Sequence, residues 1–284
     1  MSPSCRVAYT VASPECRVPV PLGYAAPFER ALAELAALGY DGVEIQVQHP
    51  ERVDADLLGA AVRRHGLAVA AVGTGPVSHD GATLTSAEPA ARDRARARLV
   101  AAARLAGRLG APVTLGRSRG RVDENRSEQQ YTWAVQGIEA IADAAGAAGS
   151  RLLLEPQEPG TTNLLTHRAE AQAFVERIGN EALGLVLDTH HMRAVGDDPV
   201  ESVRVAGRLL GEIQCAGPDR GPLDQASEDS TRLLDSLAET GFSGWIVMEH
   251  RQLPDSRRAA QRSLDCVRSA ASACNGSGTD TAAD

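Results

Sequence analysis

The chain has 284 residues, and its hydrophobic fraction of 43% excludes a wholly disordered chain. Its formal net charge of −8 disfavours phosphate-rich partners such as nucleic acid or an anionic membrane. All 29 cationic side chains are arginine, and the absence of lysine excludes a Schiff-base nucleophile, a pyridoxal-phosphate anchor and a P-loop lysine. No apolar run approaches the roughly 20 residues of a membrane span, no secretory signal is recognisable, and the five cysteines lack close pairing. We therefore expect reduced thiols and a cytoplasmic protein without a membrane partner.

Eight short apolar or β-branched segments are the candidate strands. In chain order they cover residues 6–9, 42–47, 67–72, 112–115, 151–155, 184–188, 210–215 and 245–249. They alternate with long segments of helical period, which indicates a parallel sheet with crossover helices. Eight such units over about 250 residues predict an α/β fold, a single closed (β/α)8 TIM barrel, rather than an open doubly wound sheet. We expect the barrel to cover residues 1–273 and the segment 274–284, which lacks apolar spacing, to be a disordered tail.

Local signals mark the ends of several predicted helices. Three helices end at a glycine, namely 27–38 at Gly39, 54–65 at Gly66 and the long run from Ser86 at Gly110. Ser127 with Gln130 predicts a capping box at the start of another helix. Asp198 followed by Pro199 and Glu201 predicts a second capped start.

Polar residues end the last four predicted strands. Glu155, Asp188, Gln214 and Glu249 are separated by 33, 26 and 35 residues, each close to one βα unit of about 31 residues. Because active sites of such barrels lie at the carboxyl ends of the strands, we expect these side chains to meet at one mouth. Three carboxylates there would repel one another unless a cation lies between them. The equal spacing of these four residues predicts a divalent metal site. Any one strand-end acid, taken alone, would more simply be a helix cap or an ion-pair partner.

The segments around these residues resemble a known family. Leu-Glu-Pro at 154–156, Leu-Asp-Thr-His-His-Met at 187–192, Gln-Cys-Ala-Gly at 214–217 and Gly-Trp-Ile-Val-Met-Glu at 244–249 are similar to those of the xylose-isomerase-like superfamily of metal-dependent sugar isomerases and epimerases. Many members have histidine at the position of Gln214. Glutamine at this position is nearest to the hydroxypyruvate-isomerase-like branch. The resemblance implies that Glu155 and Glu249 are both metal ligands and the acid/base pair. Asp188 and Gln214 would complete the metal site.

Four further residues are candidates for binding the substrate or supporting its site. His191 lies three residues after Asp188, where related barrels place a histidine that contacts a substrate oxygen. Arg220 matches an arginine in the substrate-binding loops of ketose epimerases. Glu44 ends the second predicted strand, a position suited to a supporting group. Arg117 begins an arginine-rich loop that could grip a carboxylate or phosphate, although a chain without lysine also uses arginine for its solvated cations.

The predicted ligands offer only oxygen, which favours Mn²⁺ or Mg²⁺ over Zn²⁺. Such an ion promotes proton transfer next to a carbonyl through an enediolate, in a small carbohydrate or hydroxy-keto acid substrate, with one glutamate removing the proton and the other returning it. The sequence leaves isomerisation, epimerisation and elimination by a dehydratase or lyase open. A non-catalytic barrel is disfavoured by the intact ligand set, and an abasic-site endonuclease by the acidic charge and the seven histidines. By analogy with similar barrels, a homo-oligomer is an alternative to a monomer.

Overall fold

A computed structural model describes residues 6–224 and 227–276. Eight parallel strands form one closed barrel in chain order, and the last strand pairs with the first. The strands are β1 (Arg6–Ala12), β2 (Gly42–Gln46), β3 (Ala68–Gly73), β4 (Val113–Leu115), β5 (Leu152–Leu154), β6 (Leu183–Asp188), β7 (Leu210–Cys215) and β8 (Trp245–Met248). The predicted (β/α)8 barrel is confirmed.

The helices surround the barrel and cover the outward-facing apolar side chains of its strands. They are α1 (Phe28–Leu38), α2 (Ala55–Arg64), α3 (Pro89–Leu109), α4 (Ser127–Ala147), α5 (Arg168–Ile178), α6 (Thr189–Val195), α7 (Pro199–Ala206), α8 (Glu228–Glu239) and α9 (Ser256–Gly276). Among the described helices, none is both long enough and apolar enough to cross a bilayer. The backbone of α9 continues three residues into the predicted tail, and residues 277–284 of that prediction lie outside the described residues.

One of the two predicted helix starts is confirmed and the other is wrong. Asp198 caps α7, because its side chain accepts a hydrogen bond of 2.8 Å from the backbone N–H of Val200. Ser127 is instead the first residue of α4, and no side-chain hydrogen bond caps this helix. The short turn Glu124–Arg126 precedes Ser127, whose backbone angles are already helical. The Gln130 side chain turns away from the helix start and accepts from the backbone N–H of Asp123 at 2.6 Å.

The strand ends set the height of the candidate site. Asp188 at the end of β6 pairs in register with Gln214 on β7. Glu155 and Glu249 each come directly after the last residue of their strands, β5 and β8. Pro156 follows Glu155 and lacks a backbone donor, which is consistent with the early end of β5. All four side chains therefore start from the carboxyl end of the barrel.

Candidate active site

Three side chains form a compact buried cluster at the carboxyl end of the barrel. Glu155, Asp188 and His191 each offer a possible ligand atom, and these atoms lie within 4.8 Å of one another. Nε2 of His191 lies 3.6 Å from Oε1 of Glu155 and 4.0 Å from Oδ2 of Asp188. A cavity of about 400 Å³ opens onto this cluster and is also lined by Gln214 and Glu249. The strand-end residues predicted from the sequence are thus brought to one mouth.

Arg220 joins Glu249 to this cluster. Its Nη2 donates to Oδ2 of Asp188 at 3.0 Å and to Oε2 of Glu249 at 2.8 Å. Arg220 and the preceding Asp219 both have positive φ, at 56° and 52°, which is a costly conformation for residues other than glycine. A 2.8 Å hydrogen bond from the backbone N–H of Arg251 to the carbonyl of Arg220 helps to hold this loop. The predicted substrate residue therefore lies with its guanidinium group between two predicted metal ligands.

The amide of Gln214 is oriented by two buried carboxylates. Its Nε2 donates to Glu44 at 3.2 and 3.3 Å and to Oε1 of Glu212 at 3.4 Å. The amide nitrogen donates to both carboxylates, and the amide oxygen faces away from them. Oε1 of Gln214 is buried and has no hydrogen-bond partner among the described residues. A buried carbonyl oxygen without a donor is unfavourable, and it is a suitable ligand for a hard cation.

Glu44 lies deeper than the sequence analysis placed it. It is the third of five residues in β2, it is fully buried, and it does not line the cavity, whereas Gln46 at the end of the strand does. Thr10 and Thr114 donate to its carboxylate at 2.9 and 3.2 Å. Burial, followed by the charge of Glu249, raises the pKa of Glu44 to about 8. The expectation that Glu44 ends its strand is wrong, and its contact with Gln214 is consistent with the supporting role expected for it.

The buried carboxylates raise one another's pKa values. Burial, followed by the charges of Glu249 and Asp188, raises the pKa of Glu155 well above its usual range. Burial also raises the pKa of Glu249, against the opposing charge of Arg220. Glu212 is a further buried acid whose pKa is raised by burial and by neighbouring carboxylates. A divalent cation would relieve this repulsion, so both the charge balance and the unpartnered Gln214 oxygen fit a metal ion at this position.

His191 is positioned as a neutral hydrogen-bond donor. The backbone N–H of Glu158 donates to Nδ1 of His191 at 3.4 Å, which leaves the ring proton on Nε2, the atom nearest Glu155 and Asp188. Burial, followed by the charge of Arg220, lowers the pKa of His191 to about 3. A neutral Nε2–H can donate to a substrate oxygen, whereas a metal ligand would need a free lone pair on that nitrogen.

Two arginines of the loop after β4, Arg117 and Arg119, have opposite environments. Arg117 is exposed at the rim of the cavity. Arg119 is fully buried, and burial lowers its pKa to about 10, while the charge of Glu155 opposes the shift. Its guanidinium group donates to the backbone carbonyls of Gly116, Glu155, Leu164 and Leu165 at 2.6 to 3.2 Å. Arg119 therefore fixes the backbone at the end of β5, a role that no sequence signal separated from that of the exposed arginine.

Gln157 covers the carboxylate of Glu155. Its Nε2 donates to Oε2 of Glu155 at 2.8 Å. A Cβ atom at position 116 would lie 2.3 Å from that oxygen and 2.5 Å from the Gln157 nitrogen, so the close approach requires Gly116. Neither Gln157 nor Glu212 was predicted as a site residue, although each is two residues from a predicted ligand. Residues two apart in an extended chain share a face, and that spacing was the available signal.

The closed barrel and the acidic residues at its mouth place the protein in a class of TIM-barrel proteins. In this class a candidate metal site lies at the carboxyl ends of strands five to eight. A sequence model of the family described as the xylose isomerase-like TIM barrel matches residues 32–270. The chain belongs to this family, which confirms the resemblance seen in the motifs.

Similar proteins include both epimerases and a presumed isomerase. An L-ribulose 3-epimerase of Mesorhizobium japonicum is 30% identical over 225 residues, which cover 78% of this chain and 74% of that protein. A Streptomyces coelicolor protein that carries the provisional name hydroxypyruvate isomerase is 29% identical over 238 residues, which cover 77% of this chain and 84% of that protein. A solved structure of an L-ribulose 3-epimerase aligns with a TM-score of 0.77 at 22% identity, covering 98% of this chain and all of that one, and supports the fold.

Proposed function

We propose that this protein is a divalent-metal-dependent epimerase or isomerase that moves a proton next to the carbonyl of a small ketose or hydroxy-keto acid. The proposal is carried by Glu155, Gln214 and Glu249, which line one cavity, and by Asp188, which clusters with Glu155 and shares Arg220 with Glu249. The buried Gln214 oxygen at this cavity has no hydrogen-bond partner among the described residues. The ketose 3-epimerases among the similar proteins support the same reaction class.

Glu155, Asp188, Gln214 and Glu249 would hold the ion, and their oxygen atoms suit Mn²⁺ or Mg²⁺. When bound, the ion supplies positive charge that acidifies the C–H group next to a substrate carbonyl. The other groups around the cavity orient the substrate. Nε2–H of His191 would donate to a substrate oxygen, and the guanidinium groups of Arg220 and Arg117 would bind further oxygen atoms.

Glu155 and Glu249 would exchange the proton. One carboxylate takes the proton from the substrate carbon and the other returns a proton. The two residues follow β5 and β8, which are separated around the barrel by β6 and β7. Carboxylates that approach from separate sides favour exchange on opposite faces of one carbon, which is epimerisation.

The test is turnover of a panel of small ketoses and hydroxypyruvate in D₂O with Mn²⁺, followed by NMR and mass spectrometry. We expect an epimeric ketose that has gained one deuterium, and loss of activity in EDTA that Mn²⁺ restores. Glu155→Gln and Glu249→Gln should each lower kcat by about 10²- to 10⁴-fold, while Glu128→Gln on the exposed face of α4 should not. Wild-type turnover in either active-site variant would exclude the acid/base assignment. Loss of water or of an aglycone would indicate a dehydratase or lyase instead.

A further inference from the structure

A second cavity lies at the opposite end of the barrel from the candidate active site. It has a volume of about 560 Å³ and is lined by the first residues of several strands. Arg6, Ala68 and Trp245 begin β1, β3 and β8, Gly211 is the second residue of β7, and Arg151 immediately precedes β5. Because these strands are distributed around the barrel, the cavity surrounds the amino-terminal end of the barrel axis.

Among the described residues, three arginines and no acidic side chain line this cavity. The guanidinium carbon of Arg6 lies 4.3 Å from the centre of the Trp245 ring, a cation–π contact that holds it at the cavity wall. The other two are Arg63, at the end of α2, and Arg151. The cavity therefore concentrates positive charge within a chain whose net charge is −8.

Glycines make room for two of these guanidinium groups. A Cβ atom at position 184 would lie 2.3 Å from Nη2 of Arg151, so the arginine rests against the bare backbone of Gly184 at the start of β6. A Cβ atom at position 59 would lie 2.9 Å from Nη1 of Arg63, and Gly59 itself lines the cavity. Both guanidinium groups therefore pack beside glycine backbone, where a larger residue would displace them.

Within the part of the chain that the structure describes, no carboxylate pairs with these arginines. Arg64 and Arg108, near the same end of the barrel, pair with Glu29 and Asp56 at 2.8 and 2.9 Å. By contrast, Arg6, Arg63 and Arg151 make no ion pair with any residue in the described part of the chain. Arg151 is half-buried, and burial lowers its pKa without an opposing contribution from a carboxylate. The partly desolvated cation of Arg151 is costly without a counter-charge unless an anion binds to it, whereas Arg6 and Arg63 are exposed.

We propose that this cavity binds a phosphate group through Arg6, Arg63 and Arg151. The planar guanidinium group donates pairs of parallel hydrogen bonds to phosphate oxygens, and three of them around one space would match a doubly charged anion. The cavity is larger than a phosphate ion, so either inorganic phosphate or the phosphate of a small metabolite fits the same chemistry. Its occupant would not compete with a substrate at the carboxyl end of the barrel.

Isothermal titration calorimetry with inorganic phosphate tests this proposal, with chloride used to keep the ionic strength constant. We expect saturable binding that Arg151→Gln and Arg63→Gln each weaken by about tenfold or more. Arg104→Gln, which replaces an exposed arginine of α3 outside the cavity, should bind phosphate like the wild type. Arg63 is itself exposed on a helix, so its variant should fold even if Arg151→Gln does not.

A parallel titration with glycerol 3-phosphate, with glycerol as its control, identifies the source of the phosphate group. Tighter binding than inorganic phosphate would indicate a phosphorylated metabolite, and equal binding would indicate the phosphate ion. Absence of saturable binding to the wild type at millimolar concentrations of either compound would overturn the proposal, as would unchanged affinity in both cavity variants. No assay of activity is involved, so the result is independent of the proposed function.

Discussion

The side-chain amide of Gln214 lies 3.2 Å from the carboxylate of Glu44, and this contact connects the interior of the barrel to the candidate metal site. Glu44 is fully buried on β2, on the far side of the barrel from the β7 residue that it contacts. Since the carboxylate accepts and the amide nitrogen donates, the pair determines where the Gln214 oxygen points. The affinity for a metal ion should therefore depend on a residue that does not touch the ion.

Glu44→Gln should weaken the binding of Mn²⁺ by about tenfold or more. Above about pH 8, where Glu44 is ionised and only accepts, a glutamine at position 44 could in addition donate to Oε1 of Gln214, so the amide would lose its single orientation. Calorimetric titration with Mn²⁺ measures the effect. Thr10→Val is the matched control, because it removes a hydrogen bond to Glu44 and keeps the carboxylate, and we expect its affinity to stay within about threefold of the wild type. Equal affinities for the wild type and Glu44→Gln would disprove the orienting role.

Arg220→Gln should separate metal binding from substrate binding. The guanidinium group contacts Asp188 and Glu249, so its removal takes away a cation that opposes a metal ion at the same oxygens. We expect the Mn²⁺ dissociation constant to stay the same or fall, while KM for the sugar rises about tenfold through loss of a charged donor. Arg251→Gln, at an exposed neighbouring position, is the control. Weaker Mn²⁺ binding with an unchanged KM is the result that would contradict this assignment.

Arg119→Met should lower the free energy of unfolding by about 3 kcal/mol or more, because it leaves several buried carbonyl groups without donors. Chemical denaturation monitored by circular dichroism gives this value. Arg117→Met, the same substitution two residues earlier at an exposed position, should change stability by about 0.5 kcal/mol or less. If the two variants are equally stable, the buried hydrogen bonds of Arg119 do not support the fold as described.

His250 should make the metal-free protein less stable in acid. Its Nδ1–H donates to the carbonyl of Arg251 at 3.0 Å, its Nε2 lies 2.9 Å from the Ser263 hydroxyl, and burial lowers its pKa to about 4. Between this value and the ordinary pKa of about 6.5, the unfolded chain binds a proton that the folded chain does not. Above about pH 6.5, neutral His250 therefore adds at most about 3 kcal/mol to the free energy of unfolding. This contribution is lost as the pH falls towards 4.

Unfolding of the wild type and of His250→Gln in urea, at several pH values between 4 and 7 and in the presence of EDTA, measures this contribution. The variant cannot take up the proton, so its stability should depend less steeply on pH, whatever its stability at pH 7. Parallel pH dependences for the two proteins would show that His250 does not titrate in this range when the protein folds.

The sequence alone was sufficient to predict the barrel. It also predicted that Glu155, Asp188, Gln214 and Glu249 lie at the same level, at the carboxyl end of the strands. Alternating strand and helix patterns are local signals, and a closed parallel barrel converts nearly equal spacing along the chain into equal height at one mouth. His191 and Arg220 were instead named from the family resemblance, and both line the same cavity as Glu155 and Glu249.

Only the tertiary structure decided which polar residues are buried and what they contact. Arg117 and Arg119 lie two residues apart in one loop, yet the first is exposed and the second donates to carbonyl groups from segments more than 30 residues away. Glu44 was expected at a strand end, and the pairing of β2 with its neighbours places it beneath Gln214, which is 170 residues later in the chain. Burial and hydrogen bonding of this kind depend on segments distant in sequence, which periodicity and capping signals do not encode.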